Sequence, residues 1–91
     1  MTHEQCREAA QGALDSLPPD LSERLGDVAV IVEDSHPDGI MGIYDPVGDV
    51  QRIVIFRDHN PDAEEVRLTV LHEVGHFFGM DEEQLIQLGY G

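Results

Sequence analysis

The chain contains no Lys and no Trp, one Cys, and only five aromatic Phe and Tyr residues among its 91 positions. Without Trp and with so few rings, its core must be built from aliphatic side chains. A lone Cys6 excludes an internal disulfide, as expected in a reducing compartment. No apolar run approaches the roughly 18 residues of a membrane span. The opening Met1-Thr2-His3-Glu4 lacks the basic and apolar regions of a secretory signal. A cytoplasmic location with no membrane role is therefore expected. Basic charge is also scarce: five Arg stand against 19 acidic residues, for a net charge of −14. Such a surface repels phosphate backbones and anionic lipid, which argues against nucleic-acid binding and favours cationic or neutral partners. The length suits one domain, residues 1–91, with one modest core and no second lobe.

What remains is well patterned. Residues 3–17 carry an apolar stripe of Cys6, Ala10, Ala13, Leu14 and Leu17, and Pro18-Pro19 stops the helix it predicts. Cys6 lies on that stripe and reads as a packed thiol. Asp20 to Glu23 add a short helical turn before Gly26. Val28 to Val32 is an unbroken apolar run, read as a buried strand. Ser35 to Gly39 is a turn, Ile40 to Tyr44 a short second strand and Arg52 to Arg57 a third. Two helices follow, the last from Asp81 to about Leu88. The order α-β-β-β-α-α predicts a two-layer α+β fold, with a small sheet packed on the penultimate helix.

That helix carries the chemistry. Pro61-Asp62 opens it, with Asp62, Glu64 and Glu65 in the first turn, where carboxylates meet the positive end of the helix dipole. Val66, Val70, Val74 and Phe77 form a core arc widened by Leu71 and Phe78, while Glu65, Thr69, His72 and His76 lie roughly opposite. Residues four apart stack one turn above each other, so His72 and His76 aim two imidazoles at one point. Glu73 stands beside the first of them. Two imidazoles and a neighbouring carboxylate suit a zinc ion and a general base, the H-E-x-x-H signature of zinc metallopeptidases. The plainer alternative is a surface helix whose histidines stack by coincidence.

Two protein ligands make an incomplete zinc site. Gly79 terminates the helix, and beyond it Asp81, Glu82 and Glu83 are all candidates for the third ligand. The longer metzincin pattern places that ligand six positions after the second His, at Glu82. The same acidic run equally suits the start of the last helix, with Asp81 as its N-cap. An oxyanion-stabilising residue is not evident; Tyr44, His36 and His59 are candidates that read more simply as ordinary strand and loop residues.

From Leu17-Pro18-Pro19 through Val28–Glu33, Met41-Gly42-Ile43-Tyr44 and Ile53–Arg57 to His76-Phe77-Phe78-Gly79, the chain resembles the minimal zincin-like metallopeptidases, a family of short bacterial proteins. The resemblance covers roughly residues 17 to 89. It implies a zincin-like core, zinc held by His72, His76 and an acidic residue after Gly79, and Glu73 as catalytic base. The family pattern usually has Asp where this chain has Glu82. A peptide or protein substrate follows, held extended along a sheet edge, for which Ile40–Tyr44 and Ile53–Arg57 are the candidates. The expected activity is zinc-dependent peptide hydrolysis. The alternative is a zinc-binding module, or an acidic interaction protein, without turnover.

Overall fold

In the computed structural model, which describes residues 1–87, each element starts where local chemistry supplies a beginning. Helix α1 (His3–Asp15) opens with a capping box: the Thr2 hydroxyl accepts from the Gln5 N–H, and the Gln5 side chain accepts from the Thr2 N–H. It stops two residues short of the sequence estimate, because Ser16 turns back onto the last carbonyls and Leu17 enters the core from outside the helix. Helix α2 (Pro19–Leu25) begins on Pro19, whose missing N–H costs nothing in a first turn.

Three strands follow: β1 (Val28–Glu33), β2 (Gly42–Tyr44) and β3 (Gln51–Phe56). They form one sheet in the order β1-β3-β2, with β1 parallel and β2 antiparallel to β3. The hairpin between β2 and β3 closes through a Val47–Val50 bridge, with Gly48 at φ +58° where a two-residue turn demands a left-handed residue. β3 carries buried Ile53, Ile55 and Phe56, and it occupies the centre. Ile53–Arg57 is therefore not a free edge; β2 is. The other edge, β1, is also less buried than its composition suggests. Only Val32 is fully buried, since Val28 and Val30 face the helices from the sheet margin while Ala29 lies exposed on the far face.

After a single 3-10 turn at Arg57–His59 comes helix α3 (Ala63–Phe77), capped by the Asp62 carboxylate on the Glu65 N–H. Val66, Val70, Leu71 and Val74 of α3 meet Cys6, Ala10, Ala13 and Leu14 of α1, and both pack on Ile53 and Ile55. The result is a two-layer α+β arrangement with one aliphatic core. Thr69 departs from its expected polar position: β2 crosses over it and leaves it only 7% exposed. Helix α4 (Glu82–Gln87) ends the described chain, and the expected helix end at Leu88 lies outside the described residues. None of the described helices is long and apolar enough to cross a membrane.

Candidate metal centre

Three features of the fold converge on one end of α3. The first is the helix repeat, which brings the His72 and His76 rings to a centroid separation of 4.7 Å at an edge-to-face angle of 79°. The second is the way α3 ends. The Met80 N–H donates to the Gly75 carbonyl and the Gly79 N–H to the His76 carbonyl, with Gly79 at φ +76°. That paired pattern is a Schellman turn, and it reverses the chain sharply. The third is the start of α4. The Asp81 carboxylate accepts from the Gln84 N–H at 2.8 Å, while the Gln84 side chain accepts from the Asp81 N–H at 2.9 Å. Asp81 is thus occupied as a cap, and the next residue is turned toward α3.

Glu82 Oε1 lies 3.2 Å from His72 Nε2 and 3.4 Å from His76 Nε2. Asp81 and Glu83 make no such contact among the described residues. A tetrahedron with metal–ligand bonds of about 2.0–2.1 Å has edges of about 3.3–3.4 Å. The separation of this carboxylate oxygen from both imidazole nitrogens therefore fits one small divalent ion between them. Two nitrogens and one oxygen also leave a fourth position open, and the side chains of Glu82 and His76 are 65% and 40% exposed, so that position is accessible.

Glu73 completes the group: one of its oxygens and one nitrogen from each of His72 and His76 lie mutually within 4.8 Å. It is held differently from Glu82. The Tyr44 backbone N–H donates to Glu73 Oε2 at 3.0 Å. Burial pushes the Glu73 carboxyl above the ordinary carboxylate range, against the opposing pull of His76, His72 and the Tyr44 N–H; Glu82 adds a smaller push upward. A half-buried carboxylate with raised proton affinity and one oxygen fixed is suited to exchange a proton.

The contact with Tyr44 depends on how closely β2 approaches α3. A Cβ at Gly42 would sit 2.6 Å from Thr69 Cγ2 and 3.1 Å from the Val54 carbonyl oxygen, so only glycine permits this crossing. Met41 O and Asp45 N bond to β3, which turns the backbone groups of Gly42 and Tyr44 outward to the free edge. Asn60 fixes the same strand. Its amide donates to the Met41 and Phe56 carbonyls, and its oxygen accepts from the Thr69 hydroxyl, all at 2.7–2.9 Å and 1% exposure. Sequence reasoning missed this residue; Asn60-Pro61 signals only a turn ahead of a helix.

The other candidates are engaged elsewhere. The Tyr44 hydroxyl bonds to Gln51 and its ring packs on Phe77, while His36 and His59 contact each other beside Phe56. Cys6 is fully buried and takes no part. Residues 48–91 match the sequence model of the zincin-like metallopeptidase family. No curated protein matches the chain. The matched region holds the central strand, both histidines, Glu73, the Gly79 turn and Glu82, and over it the chain is similar to the zincin-like metallopeptidases.

Proposed function

We propose that the protein is a zinc-dependent peptidase in which His72, His76 and Glu82 hold the metal and Glu73 is the general base. The observation that carries the reading is the position of the Glu82 oxygen, 3.2 and 3.4 Å from the two imidazoles, with Glu73 beside them. When bound, zinc polarises a carbonyl and lowers the pKa of water toward about 7. Glu73 takes a proton from the attacking water as the new C–O bond forms. It then delivers that proton to the amine nitrogen as the C–N bond breaks. Tyr44 N–H holds Oε2 meanwhile, leaving the second oxygen for the transfer. A peptide adds as an extended strand to the outward groups of Gly42 and the outward carbonyl of Tyr44, whose N–H stays with Glu73, so that β2 orients the scissile bond across the end of α3.

Protein purified without chelator or nickel resin should contain about one zinc per chain, and His72→Ala and His76→Ala should each lose it. Glu82→Gln should weaken zinc binding far more than Asp81→Asn or Glu83→Gln. Glu73→Gln should keep zinc and lose about 10²–10⁴-fold of peptide cleavage. Zinc retained at full stoichiometry in either histidine variant would sink the metal assignment. Zinc bound without cleavage of any member of a broad peptide library would replace the peptidase with a metal-binding module.

A further inference from the structure

Beside the metal centre, between the approach to β2 and the first half of α3, lies a cleft of about 360 Å³. Its walls include Ile40, Met41 and Leu68, and His72 and Glu73 close the end next to the metal centre. Ile40 and Met41 each remain 37% exposed, an apolar surface that no other part of the described chain covers. The remaining lining residue of interest is Glu65. Its backbone N–H is taken by the Asp62 cap and its carbonyl by Thr69, but its carboxylate has no hydrogen bond or ion pair among the described residues. All five Arg lie elsewhere in this respect: Arg52 pairs with Asp45, Arg57 with Asp34 and Asp58, Arg67 with Glu64, and neither Arg7 nor Arg24 lines the cleft.

An apolar trough with one charge at its far end has a specific chemical complement. It fits a side chain with a long methylene stem and a cationic tip, the arrangement in Lys and Arg, whose stems pack on apolar surface while the head stays polar. Distance separates this from the other cationic option, a substrate's own N-terminal amine. Glu65 precedes His72 by seven helical residues, about 10 Å along the axis. An α-amine on the residue next to the scissile bond would stay close to the metal-binding end, whereas a long side chain spans the gap.

We propose that the cleft selects substrates with Arg or Lys flanking the scissile bond, and that Glu65 is the residue that sets this preference. The inference rests on the peptidase reading for its orientation, but its recognition chemistry can be measured without turnover. The probes are five-residue blocked peptides identical except at the centre, which is Arg, citrulline, norleucine or Glu. Binding is measured by calorimetry at 0.15 M salt with zinc-loaded Glu73→Gln protein and with zinc-free wild type. Cleavage is measured with zinc-loaded wild type.

Arg should be favoured over citrulline by about tenfold, the size of one partly desolvated charge contact. Glu65→Gln should bring that ratio close to one while leaving norleucine binding unchanged. Glu65→Lys should turn the preference toward the Glu peptide. Glu23→Gln, which removes an exposed charge on α2, controls for the general pull of a net charge of −14. An equal loss in Glu23→Gln and Glu65→Gln, or no Arg preference in the starting protein, overturns the proposal. An Arg preference that depends on Glu65 with no cleavage of any peptide supports the cleft assignment and removes the peptidase reading instead.

Discussion

Replacing Gly42 by Ala probes the contact on which the cleft and the Glu73 geometry both depend. The added methyl would meet Thr69 Cγ2 at 2.6 Å, closer than carbon atoms approach, and the Val54 carbonyl at 3.1 Å. Neither neighbour yields freely. Thr69 is buried and its hydroxyl is committed to Asn60 and to the Glu65 carbonyl, while Val54 belongs to the central strand. Overpacking of this kind costs about 1–3 kcal/mol. In a domain of this size each 1 kcal/mol moves the melting temperature by about 4–8 °C. Thr69→Ser removes the clashing methyl and keeps the hydroxyl, at a cost of about 0.8 kcal/mol for the lost buried group. The double variant should therefore be more stable than the sum of the two singles, with a coupling of about 1 kcal/mol. Rescue should be partial, because the Val54 contact persists. Urea denaturation of the four proteins, with a common m value, measures the cycle. Strict additivity, or a Gly42→Ala protein as stable as wild type, would refute the claim that β2 is pressed against α3 at this position.

Four further outcomes follow from the same geometry. Asn60→Ala should lower stability by about 1–3 kcal/mol, since it removes two buried bonds to the Met41 and Phe56 carbonyls and leaves the Thr69 hydroxyl with the Glu65 carbonyl alone, while the Met41 carbonyl keeps the Phe56 N–H; urea titration reads this. Gly79→Ala has open space for its methyl but forces a non-glycine residue to φ +76°. It should cost about 1–2 kcal/mol and weaken zinc affinity by displacing Glu82, which a competition titration detects. In zinc-free protein, burial holds the Glu73 pKa above its unfolded value, so ionised Glu73 costs stability above that window and nothing below it. Wild type should accordingly gain stability relative to Glu73→Gln as pH falls through the window, and a constant difference across pH would contradict the assignment. Finally, Cys6 is fully buried and its thiol is pushed upward mainly by that burial, so it should react with a thiol reagent only on unfolding.

The elements that a period or a cap defines were legible in the sequence. The α1 stripe, the strand at Val28, the break at Gly79 and the stacked histidines all follow from spacing within a few residues. Which of Asp81, Glu82 and Glu83 turns toward the histidines was not decided by spacing. It depends on Asp81 being used as a cap and on the paired bonds of the Schellman turn, each of which fixes a direction rather than a distance along the chain. Sheet order was hidden for a related reason. Val28–Val32 and Ile53–Phe56 are similarly apolar, and only their joint packing against α1 and α3 puts β3 in the middle and leaves β1 half open. Thr69 and Asn60 were illegible because each is polar by type and buried by virtue of the other.

The position of β2 ties these points together. It is only three residues long and contributes little to the core, yet it is the strand on which the site converges. Its glycine allows it to lie against α3, Asn60 anchors its entry, and its outward N–H at Tyr44 reaches Glu73. A side chain at Gly42 would lift the strand and separate Glu73 from the Tyr44 N–H without touching either histidine. A small chain has few residues with which to build the wall of a cleft, and here that wall and the backbone partner of Glu73 are the same segment. Changes at positions 42 and 60 should therefore alter the cleft and Glu73 together, while the contacts of Glu82 with His72 and His76, which depend on the turn at Gly79, should change little.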